Sequence, residues 1–368
     1  MPIRTARASL RRMDSDFLII GGGIAGVSAA ARLSELGSVT LLEAEEALAH
    51  HASGRSAALY EPRYGRPSVV ELSLASGDFF HGAEGVLSPR GLLVVGREHE
   101  SARFEAEAQG MHLERIPAEA ARAEVPILRP DITLAARASH AHDIDTDLLL
   151  QRFAREARGR GAQIRTKARV SAIARDGTGW RVSADQEYRG RILVNAAGAW
   201  ADQVAAMAGV RPLGLVPYRR SMARIPAPGG HDVSRWPMIF GVGESWYAKP
   251  DAGALIVSPA DEDPQEPHDA WADDMVLAEG LARYEEMVTE PVTRLLASWA
   301  GLRTFAPDRV LVIGEDPAAP GFFWLAGQGG YGFQTCPAAS RLVADLAGGR
   351  PPEVSAALVA ALSPARFG

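Results

Sequence analysis

Gly21, Gly23 and Gly26 stand in the spacing Gly-x-Gly-x-x-Gly inside DFLIIGGGIAG, directly after a short apolar run. Residues without side chains at that spacing suit a pyrophosphate. The first permits a tight turn, the second lets the backbone approach the anion, and the third lets helix and strand pack closely. Backbone N–H groups at the start of a helix, here from Ile24 and Ala25 onward, then hold the negative charge. Glu43 closes the next apolar run, VTLLE, where a carboxylate can accept from both ribose hydroxyls of a dinucleotide. A second chemical feature is Arg303 inside the apolar stretch WAGLRTF, because a buried guanidinium without an anionic partner is costly.

To hold the glycine turn in place, residues 17–20 are predicted as a buried strand, 24–36 as a helix capped by Gly37, and 39–42 as a second strand. An amphipathic helix is expected from Thr146 to about Arg158, followed by short strands at AQIRT, ARVSAIA and GWRVSA and a buried strand in ILVNAAGAW. The block VLVIG to FFWLAGQGGYGFQTCPAASRLVADLAGG reads as strand, strand, glycine turn and helix. Residues 14–84, 141–210 and 301–368 are therefore assigned to a discontinuous nucleotide-binding lobe. Residues 85–140 and 211–300, with alternating segments such as SMARI, WYAKP and ALIVS, form a second lobe built on an antiparallel sheet. The expected class is α/β: a Rossmann-like lobe plus a substrate lobe. Residues 1–13 are expected to be a flexible tail, with Met13 an alternative start.

A net charge of -6 with both signs dispersed gives no nucleic-acid footprint. No apolar run reaches the roughly 20 residues of a membrane-spanning helix, so stable membrane insertion is not expected. The single cysteine, Cys336, excludes an internal disulfide framework and a multi-cysteine zinc site. The first residues, MPIRTARASLRRMDS, lack the apolar centre of a secretory signal, and a cytoplasmic location is the expectation. His142, His231 and His268 have no metal-ligand spacing, His50 and His51 read as loop residues, and no metal is expected.

The strand and turn VNAAGAW resemble the later turn of flavoproteins with two dinucleotide-binding domains, which favours FAD over NAD. Together with GRSAALY (54 to 60), DIDTD (143 to 147), RPLGLVPYRRS (211 to 221), WPM (236 to 238), YAKPDAG (247 to 253), WAGLRTF (299 to 305) and QGGYGFQT (328 to 335), the chain from Asp16 onward resembles the D-amino-acid oxidase superfamily. Within it, the bacterial D-arginine dehydrogenases are the most similar branch.

That resemblance implies non-covalent FAD, with Ser53, Arg55, Ser56 and Ala57 along the flavin and Val170 at the adenine end. Ala197, Gly198 and Trp200 would form the second turn, while Gly329, Tyr331, Gly332, Gln334 and Thr335 would approach the pyrimidine edge. Cys336 is expected to be an inert core residue rather than a flavin linkage. Arg220 and Arg303, helped by Tyr64 and Tyr247, would bind a substrate carboxylate, and the Gly330 carbonyl would accept from the amine. Leu59, Glu61, Leu92, Met238 and Phe240 would line the side-chain pocket. Here the chain departs from the D-arginine branch: Leu92 replaces a glutamate and Leu59 a histidine, both making the pocket more apolar. Glu61 is expected to be solvated, although it could supply a displaced carboxylate.

The expected reaction is FAD-dependent oxidation of the Cα–N bond of a D-amino acid to an imino acid, hydrolysed to a 2-oxo acid and ammonia. No catalytic base is needed once the amine is neutral. The alternatives are an oxidase of a secondary amine such as sarcosine or another N-substituted amino acid, and a non-catalytic or partner-dependent flavoprotein subunit. The electron acceptor, oxygen or a quinone or other carrier, stays open.

Overall fold

The computed structural model describes residues 15–368, so the expected tail at 1–13 lies outside the described residues. Strand β1 (Ser15–Ile20) turns at the glycines into helix α1 (Ile24–Leu33), and the chain returns as β2 (Val39–Leu42), parallel to β1. The helix ends at Leu33 rather than running on to Leu36, because the Ser38 N–H and hydroxyl both donate to Asp16 Oδ2 and draw the chain back beside β1.

Five strands form a parallel core: Phe322–Ala326, Glu187–Asn195, β1, β2 and Gln163–Arg165. The first half of Glu187–Asn195 also pairs antiparallel with Gly179–Ser183, which pairs with Ala172–Asp176. Alternation along β1 explains why the sheet is covered on both faces. Phe17 and Ile19 enter a core with α1 and the helices Thr146–Gly159 and Gly332–Ala347. Leu18 and Ile20 enter another around Trp180, Phe322 and Trp324.

The second lobe holds a nine-stranded sheet. Its pairs are antiparallel except one: Met238–Gly241 runs parallel to Leu92–Gly96, with Met238 opposite Leu92 and Phe240 opposite Val94. The sheet is thus antiparallel, as expected, but for this one parallel pair. It also extends past residue 300, since the strand Ala297–Phe305 pairs along its whole length with Val216–Pro226.

Between the lobes lies a small sheet of Leu59–Tyr60, His142–Ile144 and Leu87–Pro89. Here the DIDTD segment does two jobs. Asp143 takes Arg90 Nε at 2.7 Å and Lys249 Nζ at 2.8 Å, joining the lobes, while Asp145 caps the helix Thr146–Gly159 by accepting from the Leu148 N–H at 2.8 Å.

Candidate active site

The glycine turn sits at the carboxyl ends of the parallel strands, where open α/β sheets bind ligands. Gly21 has φ of 110°, and a β-carbon there would lie 2.3 Å from the Ala196 carbonyl oxygen. A β-carbon on Gly26 would lie 1.9 Å from the Gly21 carbonyl oxygen. Gly26 thus serves the packing of turn on helix, whereas a β-carbon on Gly23 would meet only Ser53 Oγ, at 3.1 Å, and otherwise face the cleft. The Ser53 hydroxyl accepts from the Ile24 N–H at 3.0 Å and so fixes the segment 52–55 across the helix start.

Glu43 is buried and accepts from the Gly22 N–H at 2.6 Å and the Glu45 N–H at 2.8 Å. Its carboxylate therefore ties the turn to the end of β2 while lining the cleft. From Glu43 one cavity runs past Gly21, Val170, Ala197 and Trp200. A second cavity begins with Ile24 and Ala25, takes in Ser56 and Ala57, and reaches Gly329, Gly332 and Gln334. Gly23, Ser53, Arg55 and Gly198 line both, so they form one continuous cleft. Arg55 closes its middle by reaching across to the second lobe, donating to the carbonyls of Ala270 at 2.8 Å and Ala300 at 3.0 Å and pairing with Asp269.

An elongated cleft with a helix start and a carboxylate at one end and backbone-lined glycines at the other fits FAD. Tyr331 and Thr335 line neither cavity. Tyr331 packs on Tyr64 with ring centroids 5.4 Å apart, and Thr335 is buried with its hydroxyl donating to the Tyr331 carbonyl at 2.8 Å. Cys336 is also buried away from the cleft, and burial pushes its thiol well above the ordinary range, leaving no thiolate to join a flavin. His50 and His51, expected to be loop residues, bring ligand atoms within 4.8 Å of one another and of Glu45. Their neighbours account for them as part of the cleft wall. Glu45 also takes Arg169 at 3.0 Å, and the His51 ring lies 4.6 Å from that of Trp200.

At the far end of the cleft, strand register explains why two guanidiniums converge. Arg220 lies opposite Gly301 and Tyr218 opposite Arg303, so Arg220 and Arg303 are diagonal neighbours on one sheet face. Tyr64, Arg220, Tyr247, Arg303 and Gly330 all line the same cavity, as do Leu59, Glu61, Leu92, Met238 and Phe240. The Tyr247 hydroxyl reaches Met222 Sδ at 3.8 Å rather than an arginine. Gly330 lies flat against Arg303, since a β-carbon there would be 3.1 Å from its Cζ.

Glu244, which the sequence reading left out, occupies the centre of this group. Its carboxylate pairs with Arg220 Nη1 at 2.7 Å and Arg303 Nη1 at 3.5 Å, and accepts from the Tyr64 hydroxyl at 2.5 Å. Burial alone would raise its pKa, but Arg220 and Arg303 outweigh that and hold the carboxyl below the usual range. Burial, with Glu244 adding to it, pushes the Tyr64 phenol well up, so it stays a hydrogen-bond donor. The Arg303 cation is disfavoured by burial, yet Tyr247 and Glu244 beside it raise its pKa and keep it charged. Glu244 has φ of 56°, a left-handed conformation that strains a residue with a β-carbon by roughly 1–2 kcal/mol. The only sequence signal was an acid in a glycine-flanked hairpin, GVGESWY, just before Tyr247.

Glu61 also differs from expectation. Instead of being solvated it is 1% exposed, with Oε1 accepting from the Arg63 N–H at 3.1 Å and lying 3.1 Å from His140 Nε2. The short strand Leu59–Tyr60 and the contact of its own N–H with Gln334 turn it inward.

The chain belongs to the DAO family of FAD-dependent oxidoreductases, whose family model, described as FAD dependent oxidoreductase, matches residues 16–346. It is 25% identical over 397 residues to the tRNA 5-methylaminomethyl-2-thiouridine biosynthesis bifunctional protein MnmC of Thiobacillus denitrificans, covering 98% of this chain and 61% of that protein. It thus spans about three fifths of that relative's length. It is 29% identical over 392 residues to the glycine oxidase of Pseudomonas aeruginosa, covering 94% of this chain and 98% of that protein. The crystal structure of L-proline dehydrogenase from P. horikoshii matches with a TM-score of 0.83 at 21% identity, covering 96% of this chain and 98% of that chain. These similarities establish the family and do not extend to the finer likeness to D-arginine dehydrogenase. The protein is a FAD-dependent oxidoreductase that binds its flavin non-covalently. Among the described residues, no helix is long and apolar enough to cross a membrane.

Acid precipitation of the purified yellow protein is expected to release intact FAD into the supernatant, identified by chromatography. Flavin left in the pellet, or FMN in its place, would contradict the cleft assignment.

Proposed function

We propose that this chain oxidises the Cα–N bond of a D-amino acid to an imino acid, which water hydrolyses to a 2-oxo acid and ammonia. Arg303 is the observation that carries the reading. Its side chain lines the cleft beside Gly330 from the strand Ala297–Phe305, and its one charged partner among the described residues, Glu244, touches it at 3.5 Å. A guanidinium so placed calls for an anion, and its planar fork fixes the orientation of a carboxylate. Bound FAD supplies the two-electron acceptor. The chain's own task is to hold the carboxylate on Arg303, to offer the Gly330 carbonyl to the amine, and to exclude water with an apolar wall.

The names of the glycine oxidase and the L-proline dehydrogenase place α-amino acids among the substrates of similar proteins. The D configuration rests on the motif likeness alone. Because proline is a secondary amine, an N-substituted amino acid is the second reading. A partner-dependent subunit is the third, supported by the bifunctional relative that is longer than this chain. Transfer of electrons to oxygen or to a quinone or other carrier belongs to the proposal as its open acceptor half. Anaerobic mixing with D-amino acids, L-amino acids and N-methyl amines, followed by flavin absorbance, tests all three. Bleaching by D-amino acids is the expected result; bleaching only by L-amino acids or N-methyl amines, or none at all, would replace the first reading.

Leu59, Leu92, Met222, Met238 and Phe240 make the side-chain wall apolar, and Glu61 within it is already engaged by His140 and the Arg63 N–H. A guanidinium entering there would lose hydration, whereas an apolar side chain gains about 25 cal/mol per Å² removed from water. D-Leucine, D-methionine and D-phenylalanine are therefore expected to exceed D-arginine in kcat/KM, in the wild type and in Glu61→Gln alike. If D-arginine leads in the wild type and collapses in the variant, Glu61 selects the side chain.

A further inference from the structure

We propose that Glu244 is a specificity-determining residue: a resident carboxylate that holds the place of the substrate carboxylate and must be exchanged for it. The proposal rests on the reading that the substrate carries a carboxylate. Arg220 is 3% exposed and its two terminal nitrogens are engaged, Nη1 with Glu244 at 2.7 Å and Nη2 with Glu262 at 3.3 Å, while Nε is buried without a partner among the described residues. Glu262 is itself shared with Arg309 at 2.8 Å. Three guanidiniums therefore face two carboxylates, and the group keeps one positive charge. An incoming monoanion can satisfy that charge at Arg303, but it can reach Arg220 and the Tyr64 hydroxyl only where Glu244 now sits.

The local chain suits such an exchange. Glu244 lies at the tip of the hairpin between Met238–Gly241 and Tyr247–Asp251, and both Gly243 and Glu244 have positive φ, 67° and 56°. The tip is tethered at Gly243, whose N–H donates to Glu107 at 2.7 Å and whose carbonyl accepts from Arg103 at 3.0 Å. Glu244 itself is anchored by the contacts its carboxylate makes with Arg220, Arg303 and Tyr64. A ligand that brings a carboxylate replaces those contacts one for one. A neutral ligand of the same shape has no claim on the arginines and leaves Glu244 where it is, so the cost of the exchange falls on carboxylate ligands alone.

The test uses the FAD-loaded enzyme and two probes of similar shape, benzoate and benzamide, with binding followed by calorimetry and by the flavin spectrum. Glu244→Gln is expected to bind benzoate about tenfold or more tightly than the wild type, with little change for benzamide, and KM for a carboxylated substrate should fall with it. Glu244→Asp, whose shorter side chain withdraws from the arginines, should lie between, which covers the case in which the Gln variant folds poorly. Equal or weaker benzoate binding in the flavin-loaded variants would overturn the proposal. Arg303→Met is the separate control for the underlying reading: if benzoate binding to the wild type does not depend on Arg303, it is the carboxylate reading that fails.

Discussion

Arg303→Met is expected to lower kcat/KM on a carboxylated substrate by about 30-fold to several thousand-fold, the range that corresponds to losing roughly 2–5 kcal/mol when one member of a buried charge pair is removed. The side chain lies on the strand Ala297–Phe305, against Gly330 and facing the cleft, so Met fills much of the volume and removes the charge. What remains is a carboxylate facing Met, with the Arg220 nitrogens still held by Glu244 and Glu262. FAD content and melting temperature should stay close to wild type, because among the described residues the Arg303 side chain makes one ion pair, at 3.5 Å, and no hydrogen bond to a backbone group. Activity within a few-fold of wild type would show that the carboxylate is bound elsewhere.

Two glycine substitutions should separate the architecture of the turn from its ligand. In Gly26→Ala the new β-carbon meets the Gly21 carbonyl oxygen at 1.9 Å, a backbone atom that cannot swing aside. Forced overpacking costs about 1–3 kcal/mol, equivalent to roughly 5- to 150-fold weaker FAD binding if it falls on the bound state. The melting temperature of the apoprotein should fall as well. Gly23→Val is different, because its β-carbon meets only the Ser53 hydroxyl at 3.1 Å. That variant should keep the apoprotein's stability and lose FAD through obstruction of the pyrophosphate. Full FAD occupancy in Gly23→Val, measured as the flavin-to-protein absorbance ratio, would mean that no phosphate passes over this residue.

The strand, turn and helix around Gly21 to Gly26 were legible because every signal is local: apolar residues, glycine spacing and a helical run lie within one stretch of chain. The helix Thr146–Gly159 was legible for the same reason, with its cap at Asp145 and amphipathic period. Pairing between distant strands was not. Nothing in the residues of Met238–Gly241 says that it runs parallel to Leu92–Gly96, and that one pairing places Met238 beside Leu92 in the pocket wall. Glu244 was missed because its partners lie far off in sequence, 24 positions away at Arg220, 59 at Arg303 and 180 at Tyr64. A lone acid in a glycine-rich hairpin reads as a solvated turn until those three side chains are brought around it. Glu61 reads the same way until the helix bearing Gln334 covers it.

The interleaving of the parallel sheet also constrains how the protein is made. β1 is synthesised before its neighbour Glu187–Asn195, and that strand before Phe322–Ala326, which pairs with its other edge. The helix Gly332–Ala347, which packs on α1 and begins at Gly332 of the far cleft wall, follows that strand. Until that helix is made, the nascent chain carries the pyrophosphate turn with the part of α1 it packs on uncovered, because contacts of long sequence separation form only once both partners exist. Cofactor capture therefore waits on the segment 322–347, and the yield of folded protein in a producing cell should follow the flavin supply more closely than the rate of transcription.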